Sequence, residues 1–362
     1  MSKLQPTLPA GRAILFKGPG KPFVSVRQEL PTIGNNQLIV KNLYTTLCGS
    51  DIHTYCGHRS EPEQVVLGHE IVGEVLWFNP DREIKDYKGN PVTIGDRIVW
   101  SIFSVPEGVE APRKDIPQKS EGLFKYGHAL ATADDTFNGG LADYCVIREN
   151  TAFIKISHQM PLKVAATISC AHATVVGALR VAGSVAGKRV LVFGAGLLGI
   201  SCVSMCREAG AAFIGLIDKD ISRLVWGKDF GADETYQSVA DGEQWPWPEA
   251  DIVFDMTGYP DAMQTGLDSL AIGGSAIWIG AVFPAQPVKV NAEKLVRRVL
   301  QIKGLHNYNY EDFVNAVSFI ENNYEKYPFE TLVEREYSLS EVERAFTYAS
   351  DKKPVRVGIT IS

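Results

Sequence analysis

The chain has 362 residues and a formal net charge of -6, and hydrophobic residues make up 45% of it against 22% charged residues. This composition indicates an ordinary soluble globular protein that is large enough for two domains. The negative charge argues against nucleic acid or an anionic membrane surface as a partner, and no run approaches the roughly eighteen apolar residues of a membrane span. We therefore expect a cytoplasmic protein, and its six scattered cysteines do not suggest a disulfide framework.

Short, partly alternating apolar runs predict an irregular β domain in the first part of the chain. Breaks rich in Gly, Pro and Asn separate these runs. The predicted strands are 13–16, 22–26, 37–44, 70–78, 96–103, 141–147 and 152–156. A short helix is expected from Ser50, whereas 104–138 shows no clear periodicity.

The pattern changes near Pro161, where 162–183 carries small and apolar residues at helical spacing. Strand and helix patterns then alternate as far as about Asn291. This alternation predicts βαβ units and a parallel sheet. Mixed strands and helices return after Asn291.

A glycine-rich turn follows the first strand of the alternating region. Gly194, Gly196 and Gly199 have the G-x-G-x-x-G spacing between a predicted strand and a predicted helix, which is typical of a dinucleotide site. Asp218 ends the next predicted strand, where a carboxylate would bind the adenosine ribose and repel a 2′-phosphate, so NAD is favoured over NADP. Arg223 is the residue that could instead accommodate a phosphate.

A second candidate site lies between Cys48 and Glu70, where thiol, imidazole and carboxylate side chains are concentrated. These side chains are Cys48, Asp51, His53, His58, His69 and Glu70. Zinc favours such a mixture of sulfur and nitrogen ligands, but this stretch supplies at most two convincing ones. Cys170 is the preferred third candidate over His172, because a position two residues along a helix points to another face.

The motifs CGSDIH, LGHE, SCAHAT and GAGLLG occur in this order at residues 48–53, 67–70, 169–174 and 194–199. Together they resemble the zinc-dependent medium-chain alcohol dehydrogenases over essentially the whole chain. The resemblance implies an α/β protein with a GroES-like catalytic domain at 1–160 and 300–362. It also implies a Rossmann NAD-binding domain, a doubly wound parallel sheet, at 161–299, and assembly into a homodimer or homotetramer.

The same resemblance implies one catalytic zinc, held by Cys48, His69 and Cys170, with alcohol or water in the fourth position. Asp51 and Glu70 would support the ligands from behind. In the proton pathway that it implies, Ser50 takes the alcohol proton and His53 passes it to solvent. The remaining cofactor contacts that it implies are Thr174, Leu198, Gly280, Ala281 and Arg356.

Two features of 104–128 distinguish this chain within the family. The interval contains no cysteine, which excludes the second, four-cysteine structural zinc of many relatives. Its carboxylates are expected in a solvated loop, and they are Glu107, Glu110, Asp115 and Glu121. The phrase PQKSEGLFKYGH is similar to a branch associated with phosphonate catabolism, although that branch carries a cysteine where Ser120 stands.

The predicted function is therefore hydride transfer between an alcohol and NAD, giving an aldehyde or ketone. The residues placed near the substrate by family position are His58, Arg59, Lys125 and His128. Cations that converge on a cleft would bind a phosphonate or phosphate group, unless Arg59 pairs with Glu61 or Glu63 and Lys125 faces water. Two alternatives are a polyol or cyclitol dehydrogenase with the same zinc mechanism, and a zinc-free nucleotide-binding or quinone-reductase-like protein.

Overall fold

A computed structural model describes residues 5, 8–106, 108–109, 115–238 and 246–361. Glu107 and Glu110 lie outside the described residues. The chain divides into two compact units. The first unit comprises Met1–Cys170, Asn309–Tyr324 and Phe329–Ser362, and the second comprises Ala171–Tyr308 and Glu325–Pro328.

The described residues form strands and helices along the whole chain. The strands are β1 Gly11–Leu15, β2 Val24–Gln28, β3 Leu38–Leu47, β4 Glu70–Phe78, β5 Arg97–Ser104, β6 Phe124–Lys125, β7 Tyr144–Ile147, β8 Thr151–Lys155, β9 Arg189–Phe193, β10 Phe213–Asp218, β11 Glu234–Gln237, β12 Ala250–Asp255, β13 Leu270–Trp278, β14 Gln301–Gly304, β15 Val333–Ser338 and β16 Arg356–Thr360. The α-helices are α1 Gly49–Tyr55, α2 Leu162–Ala166, α3 Ala171–Ala182, α4 Leu197–Glu208, α5 Ile221–Leu224, α6 Trp226–Asp229, α7 Pro260–Asp268, α8 Ala292–Arg297, α9 Tyr310–Asn323 and α10 Val342–Lys352. Short 3-10 helices occur at Pro117–Lys119, Thr167–Ser169, Phe329–Leu332 and Leu339–Glu341.

The first unit is built on an eight-stranded sheet with the path β15-β16-β3-β4-β5-β6, on which β7 pairs with β3 and β8 pairs with β5. β1 and β2 form a separate antiparallel pair. The last strand of the chain, β16, lies inside this sheet because it pairs with β15 in parallel and with β3 in antiparallel orientation. Apolar side chains such as Leu67, Phe137 and Phe346 form one core, and Trp100 and Tyr126 belong to another.

The second unit contains a six-stranded parallel sheet in the order β11-β10-β9-β12-β13-β14. The order reverses at β9, the strand that precedes the glycine-rich turn, as in doubly wound nucleotide-binding folds. Its core includes Leu191, Phe193, Trp247 and Val253. The predicted fold class, a GroES-like β domain with a Rossmann sheet, is confirmed.

The structure differs from the predicted pattern in three places. The helix predicted over 162–183 ends at Ala166 and restarts at Ala171, with a 3-10 turn between. The Thr167 hydroxyl donates to the Val164 carbonyl, and such side-chain bonds compete with regular helix. Within the predicted alternation of strands and helices, the stretch 221–229 forms two short helices, α5 and α6, and the polar strand β11 is an addition at the sheet edge.

Among the described residues, no single helix is long and apolar enough to cross a bilayer, and one bent pair, Leu162–Ser169 with Ala171–Ala182, meets the criteria of length and composition only.

Candidate functional site

The candidate metal ligands converge at one end of the large sheet in the first unit. β3 ends at Leu47 and β4 begins at Glu70, and antiparallel pairing of Thr46 with Glu70 brings these two strand ends together. Cys48 and His69 are the residues just beyond them. Cys170, which directly follows a 3-10 turn, completes a cluster whose ligand atoms all lie within 4.8 Å of one another.

The cluster fits a zinc ion in donor type and spacing. The two sulfur atoms are 4.0 Å apart. Zinc–sulfur bonds of about 2.3 Å in a tetrahedral site would place two sulfurs about 3.8 Å apart. The contact with Cys170 and the nearby guanidinium of Arg356 lower the pKa of Cys48, so a thiolate is favoured there. The contact with Cys48 and burial raise the pKa of the Cys170 thiol.

Asp51 contacts two of the candidate ligands, Cys48 and His69. As the third residue of α1 it accepts a hydrogen bond from the Cys48 backbone N–H at 2.8 Å, and its other oxygen accepts one from Gly68 at 3.2 Å. That second oxygen also lies 3.4 Å from Nδ1 of His69. Burial opposes a charged imidazole, but the charge and contact of Asp51 raise the pKa of His69. Asp51 therefore fixes the start of the helix and places a carboxylate oxygen beside Nδ1 of His69.

Glu70 and Arg356 form a buried pair beside the cluster. The guanidinium donates through Nε and Nη2 to the two carboxylate oxygens at 2.8 and 2.9 Å. Nη2 is also 3.6 Å from the sulfur of Cys48. The hydroxyl of Thr46 donates to the same carboxylate. Burial raises the pKa of Glu70, and the Arg356 charge opposes this shift.

The two residues predicted to move protons lie on α1. The hydroxyl of Ser50 is 3.5 Å from Nε2 of His69. His53 follows one turn later, and its ring is 5.8 Å from the ring of His58. Burial, together with the charges of His58 and Arg59, lowers the pKa of His53, so a neutral imidazole is favoured at neutral pH.

A cavity of about 560 Å³ in the same unit is lined by three of the four predicted substrate residues. These three are Arg59, Lys125 and His128, and Glu61 also lines the cavity. His58 is exposed and is not among the described lining residues. Burial and the nearby cations Arg59 and Lys119 lower the pKa of Lys125 to about 8.

Glu61 is the centre of the polar contacts in this cavity. One carboxylate oxygen lies 3.0 Å from Nε of Arg59 and 2.9 Å from Nδ1 of His128. The ring of His128 packs on the ring of His69 with centroids 4.8 Å apart. The alternative considered from the sequence, pairing of Arg59 with Glu61, is therefore present, whereas Glu63 pairs with Lys21.

In the second unit, the glycine-rich turn has the geometry of a dinucleotide-binding turn. Gly194 has φ +102°, which favours glycine, and a Cβ atom at Gly199 would lie 1.7 Å from the Gly194 carbonyl oxygen. Gly196 precedes the first residue of α4, and the nearest atom to a Cβ there would be Nη1 of Arg223 at 4.0 Å. Asp218, at the end of β10, accepts hydrogen bonds from the backbone of Ala195 and Asp220.

The other predicted cofactor residues differ in burial and in the unit to which they belong. Thr174 is buried in α3, Leu198 is half-buried, and Ala281 is exposed after the buried Gly280. Arg356 belongs to the first unit, where Glu70 binds its guanidinium. His172, the rival metal ligand, has its Nδ1 at 2.9 Å from the hydroxyl of Ser201.

Three residues that contact the candidate ligands or the cavity residues were not assigned a functional role from the sequence. Glu61 appeared there only as a structural partner of Arg59, and Thr46 and Lys119 did not appear. The sequence signal for Glu61 is weak because a carboxylate in a loop is usually solvated. A useful signal is that Glu61 lies close in sequence to both a candidate substrate residue and a candidate ligand.

Comparisons with known proteins agree with this fold. The alcohol dehydrogenase GroES-like domain matches residues 34–158, and the zinc-binding dehydrogenase domain matches residues 198–322. The chain belongs to the zinc-dependent medium-chain alcohol dehydrogenase family and is an oxidoreductase.

Individual relatives show the range of this family. A sorbitol dehydrogenase from Halalkalibacterium halodurans is 26% identical over 93% of this chain and 95% of its own length. The crystal structure of an alcohol dehydrogenase from Thermotoga maritima has a TM-score of 0.88 at 25% identity, covering 97% of this chain and 99% of its own. A zinc-binding dehydrogenase from Sinorhizobium meliloti, solved with NADP, has a TM-score of 0.82 at 18% identity and covers 98% of this chain and 100% of its own.

Proposed function

We propose that this chain is a zinc- and NAD-dependent dehydrogenase that interconverts an alcohol and an aldehyde or ketone. The observation that carries the proposal is the cluster of Cys48, His69 and Cys170, whose ligand atoms lie within 4.8 Å of one another. Two thiols and an imidazole suit zinc, and three protein ligands leave one coordination position for the substrate.

In this proposal the three residues hold one zinc ion. When bound, the ion acts as a Lewis acid that lowers the pKa of an alcohol hydroxyl toward neutrality. Asp51 orients the imidazole of His69 through Nδ1, and Glu70 with Arg356 supplies a fixed pair of charges behind Cys48. Such supporting contacts keep ligand geometry constant, and their loss typically weakens metal affinity or activity by about 10- to 100-fold.

Ser50 and His53 provide the proton pathway. The hydroxyl of Ser50 stands beside the candidate ligand His69, where it can accept the alcohol proton. The lowered pKa of His53 favours the neutral imidazole, which can take a proton from the site and release it to solvent. The spacing of the two residues on α1 places them on one side of the helix.

NAD is the proposed cofactor. The turn Gly194–Gly196–Gly199 would hold the pyrophosphate at the start of α4, and Asp218 would bind the adenosine ribose. The other proposed contacts are Thr174, Leu198, Gly280 and Ala281. NADP is the competing cofactor, and Arg223 is the residue that would bind its 2′-phosphate. The Nη1 atom of Arg223 lies beside the glycine-rich turn, 4.0 Å from where a Cβ atom of residue 196 would be.

For the substrate we propose an alcohol that carries a phosphonate or phosphate group. Arg59 and Lys125 line one cavity, and paired cations suit such an anion. The ion pair with Glu61 engages Nε of Arg59, whereas a guanidinium has five N–H donors. His128 would shape the cavity wall, and His58 would lie outside it.

A polyol or cyclitol is the second candidate substrate, supported by the likeness to a sorbitol dehydrogenase. The proposal further places the GroES-like catalytic domain at 1–160 and 300–362 and the NAD domain at 161–299. It describes a cytoplasmic homodimer or homotetramer that acts on small molecules.

A metal analysis combined with a substrate panel tests the proposal. Zinc-replete protein should contain about one zinc per chain, and NAD reduction should depend on it. Among phosphono-alcohols, phosphorylated alcohols and neutral sugar alcohols, the first two should give the higher kcat/KM. Absence of bound zinc after zinc-replete expression would contradict the proposal and favour the zinc-free alternative.

A further inference from the structure

Lys125 has an unusual position for a lysine. It is the last residue of the two-residue strand β6, and pairing with Phe103 of β5 fixes its backbone. Its side chain is half-buried and lines the cavity of about 560 Å³ together with Arg59 and Glu61. The backbone of Lys125 is therefore held at the wall of this cavity.

The charges around Lys125 come from several elements. Arg59, from the loop after α1, and Lys119, from the 3-10 helix, oppose the protonated amine, as does burial. Glu61 and Cys170 act in the opposite direction. Together, burial and these charges lower the pKa of Lys125 to about 8.

This shift changes how much neutral amine is present. At a pH of about 7.5, a pKa of 8 leaves roughly a quarter of the amine neutral, whereas an ordinary lysine has roughly 0.1% neutral amine. A lysine that is desolvated beside another cation is one of the established forms of an activated nucleophile. The cavity provides both conditions at Lys125.

The second necessary element is a group that holds a carbonyl compound near the amine. Arg59 is held by Glu61 through Nε, which restricts the side chain before any ligand binds. The remaining guanidinium donors can bind an oxyanion. An anionic aldehyde of moderate size fits a cavity of about 560 Å³.

We propose that Lys125 is a second reactive centre of this chain, where its amine condenses with the carbonyl group of an anionic aldehyde whose oxyanion is bound by Arg59. The amine nitrogen forms a C=N bond with the carbonyl carbon, and the carbonyl oxygen leaves as water after accepting the two amine protons. No oxidation or reduction occurs, and hydrolysis reverses the step. The condensation itself requires neither zinc nor NAD, whereas the choice of an anionic aldehyde rests on the proposed function.

Pyridoxal 5′-phosphate is a suitable probe because it combines an aldehyde with a phosphate. The zinc-loaded full chain is treated with it at pH about 7.5, borohydride reduces the imine to a stable secondary amine, and mass spectrometry of peptides gives the rate at each lysine. Lys125 should be labelled at least about tenfold faster than the exposed Lys41 of β3, because far more of its amine is neutral. The rate preference for pyridoxal 5′-phosphate over pyridoxal, which lacks the phosphate, should be at least about tenfold larger at Lys125 than at Lys41.

Two variants assign the effect to the proposed residues. Lys125→Arg keeps the positive charge and should lose the fast-labelled position completely. Arg59→Ala should slow the labelling of Lys125, because a cation that lowers the pKa of its amine is lost, and should reduce the preference for the phosphate reagent at Lys125 to that at Lys41. Labelling of Lys125 no faster than Lys41, or a preference for the phosphate reagent no larger at Lys125 than at Lys41 in the unaltered protein, would overturn the inference.

The result is independent of the dehydrogenase test. Protein that oxidises alcohols but does not label at Lys125 retains the proposed function and loses this inference. Protein that labels rapidly at Lys125 but oxidises no alcohol with zinc and NAD retains the inference and loses the proposed function.

Discussion

The glycine-rich turn of the second unit and the candidate metal-ligand cluster of the first are assembled over different distances along the chain. The carboxylate of Asp218 reaches the backbone of Ala195 across 23 residues. In the cluster, Cys48 and Cys170 are 122 residues apart, and the Glu70–Arg356 pair spans 286 residues. One site therefore depends on a local backbone shape, whereas the other depends on the correct pairing of distant strands.

This difference predicts that substitutions in the two regions will have different effects. A change in the turn should act on backbone conformation and on NAD binding. A change in the cluster should act on side-chain chemistry and metal binding, and the turn should still bind its nucleotide. The following substitutions test this separation, beginning with the largest expected effect.

Cys170→Ala should abolish stoichiometric zinc binding and lower kcat/KM by more than about 100-fold, because even outer contacts of a metal site are worth about 10- to 100-fold. The NAD dissociation constant should be unchanged, since the turn is built from other residues. Zinc content, turnover and NAD titration measure the three quantities. Cys56→Ala is the matched control because this cysteine is exposed, and full turnover in Cys170→Ala would refute the ligand assignment.

Arg356→Gln should lower the free energy of unfolding by roughly 3–5 kcal/mol, because it leaves the buried Glu70 carboxylate without its charged partner. Denaturant titration measures the change. Arg344→Gln is the matched control, since its ion pair with Glu341 is exposed and exposed pairs contribute little to stability. Similar losses of unfolding free energy in the two variants would show that the buried pair contributes no more to stability than the exposed pair.

Gly199→Ala and Gly196→Ala should separate stability from nucleotide binding. The first places a methyl group 1.7 Å from a backbone oxygen and should cost roughly 1–3 kcal/mol of stability. The second meets no atom closer than 4.0 Å, so stability should change by less than about 0.5 kcal/mol. Thermal unfolding with and without NAD should show that Gly196→Ala loses mainly the stabilisation by NAD. Equal destabilisation of both apo variants would contradict the geometry of the turn.

The smallest predicted effect is a pH dependence at the cavity. Lys125, with its pKa lowered to about 8, carries a charge below that pH and loses it as pH rises above it. The KM of a sulfonate-bearing alcohol, whose own charge is constant, should therefore rise by up to about tenfold between pH 7 and 9. Lys125→Met should remove this pH dependence, and the KM of a neutral alcohol should not show it. An identical rise with the neutral alcohol would point to another titrating group.

Much of the fold was predictable because its signals are local. The strand–turn–helix at Gly194 and the alternation of strands and helices are written in short stretches of sequence, and the predicted fold class and family are confirmed. The interruption before Cys170 was missed because Thr167 and Ser169 bond to nearby carbonyl oxygens within an otherwise helical pattern. The site assignments themselves remain predictions until the variants are measured.

The contacts of the candidate site were less predictable. Nothing near Glu70 in the sequence identifies Arg356 as its partner, because the contact depends on strand pairing between β16 and β3. Similarly, the sequence offered Glu61 and Glu63 as equivalent partners for Arg59. Burial separates them, since the Glu61 side chain is 8% exposed and that of Glu63 is 79% exposed.

The position of β16 has a consequence for synthesis of the protein. The strand lies between β15 and β3, although β3 is made more than 300 residues earlier. The parallel sheet of the second unit, from β9 to β14, is complete before β16 has been translated. Because domains generally fold as units during synthesis, we expect the second unit to fold on the growing chain, whereas the support of Cys48 and Glu70 by Arg356 forms only afterwards. Zinc held by Cys48, His69 and Cys170, as proposed, would then gain the support of Arg356 in a chain whose parallel sheet is already formed.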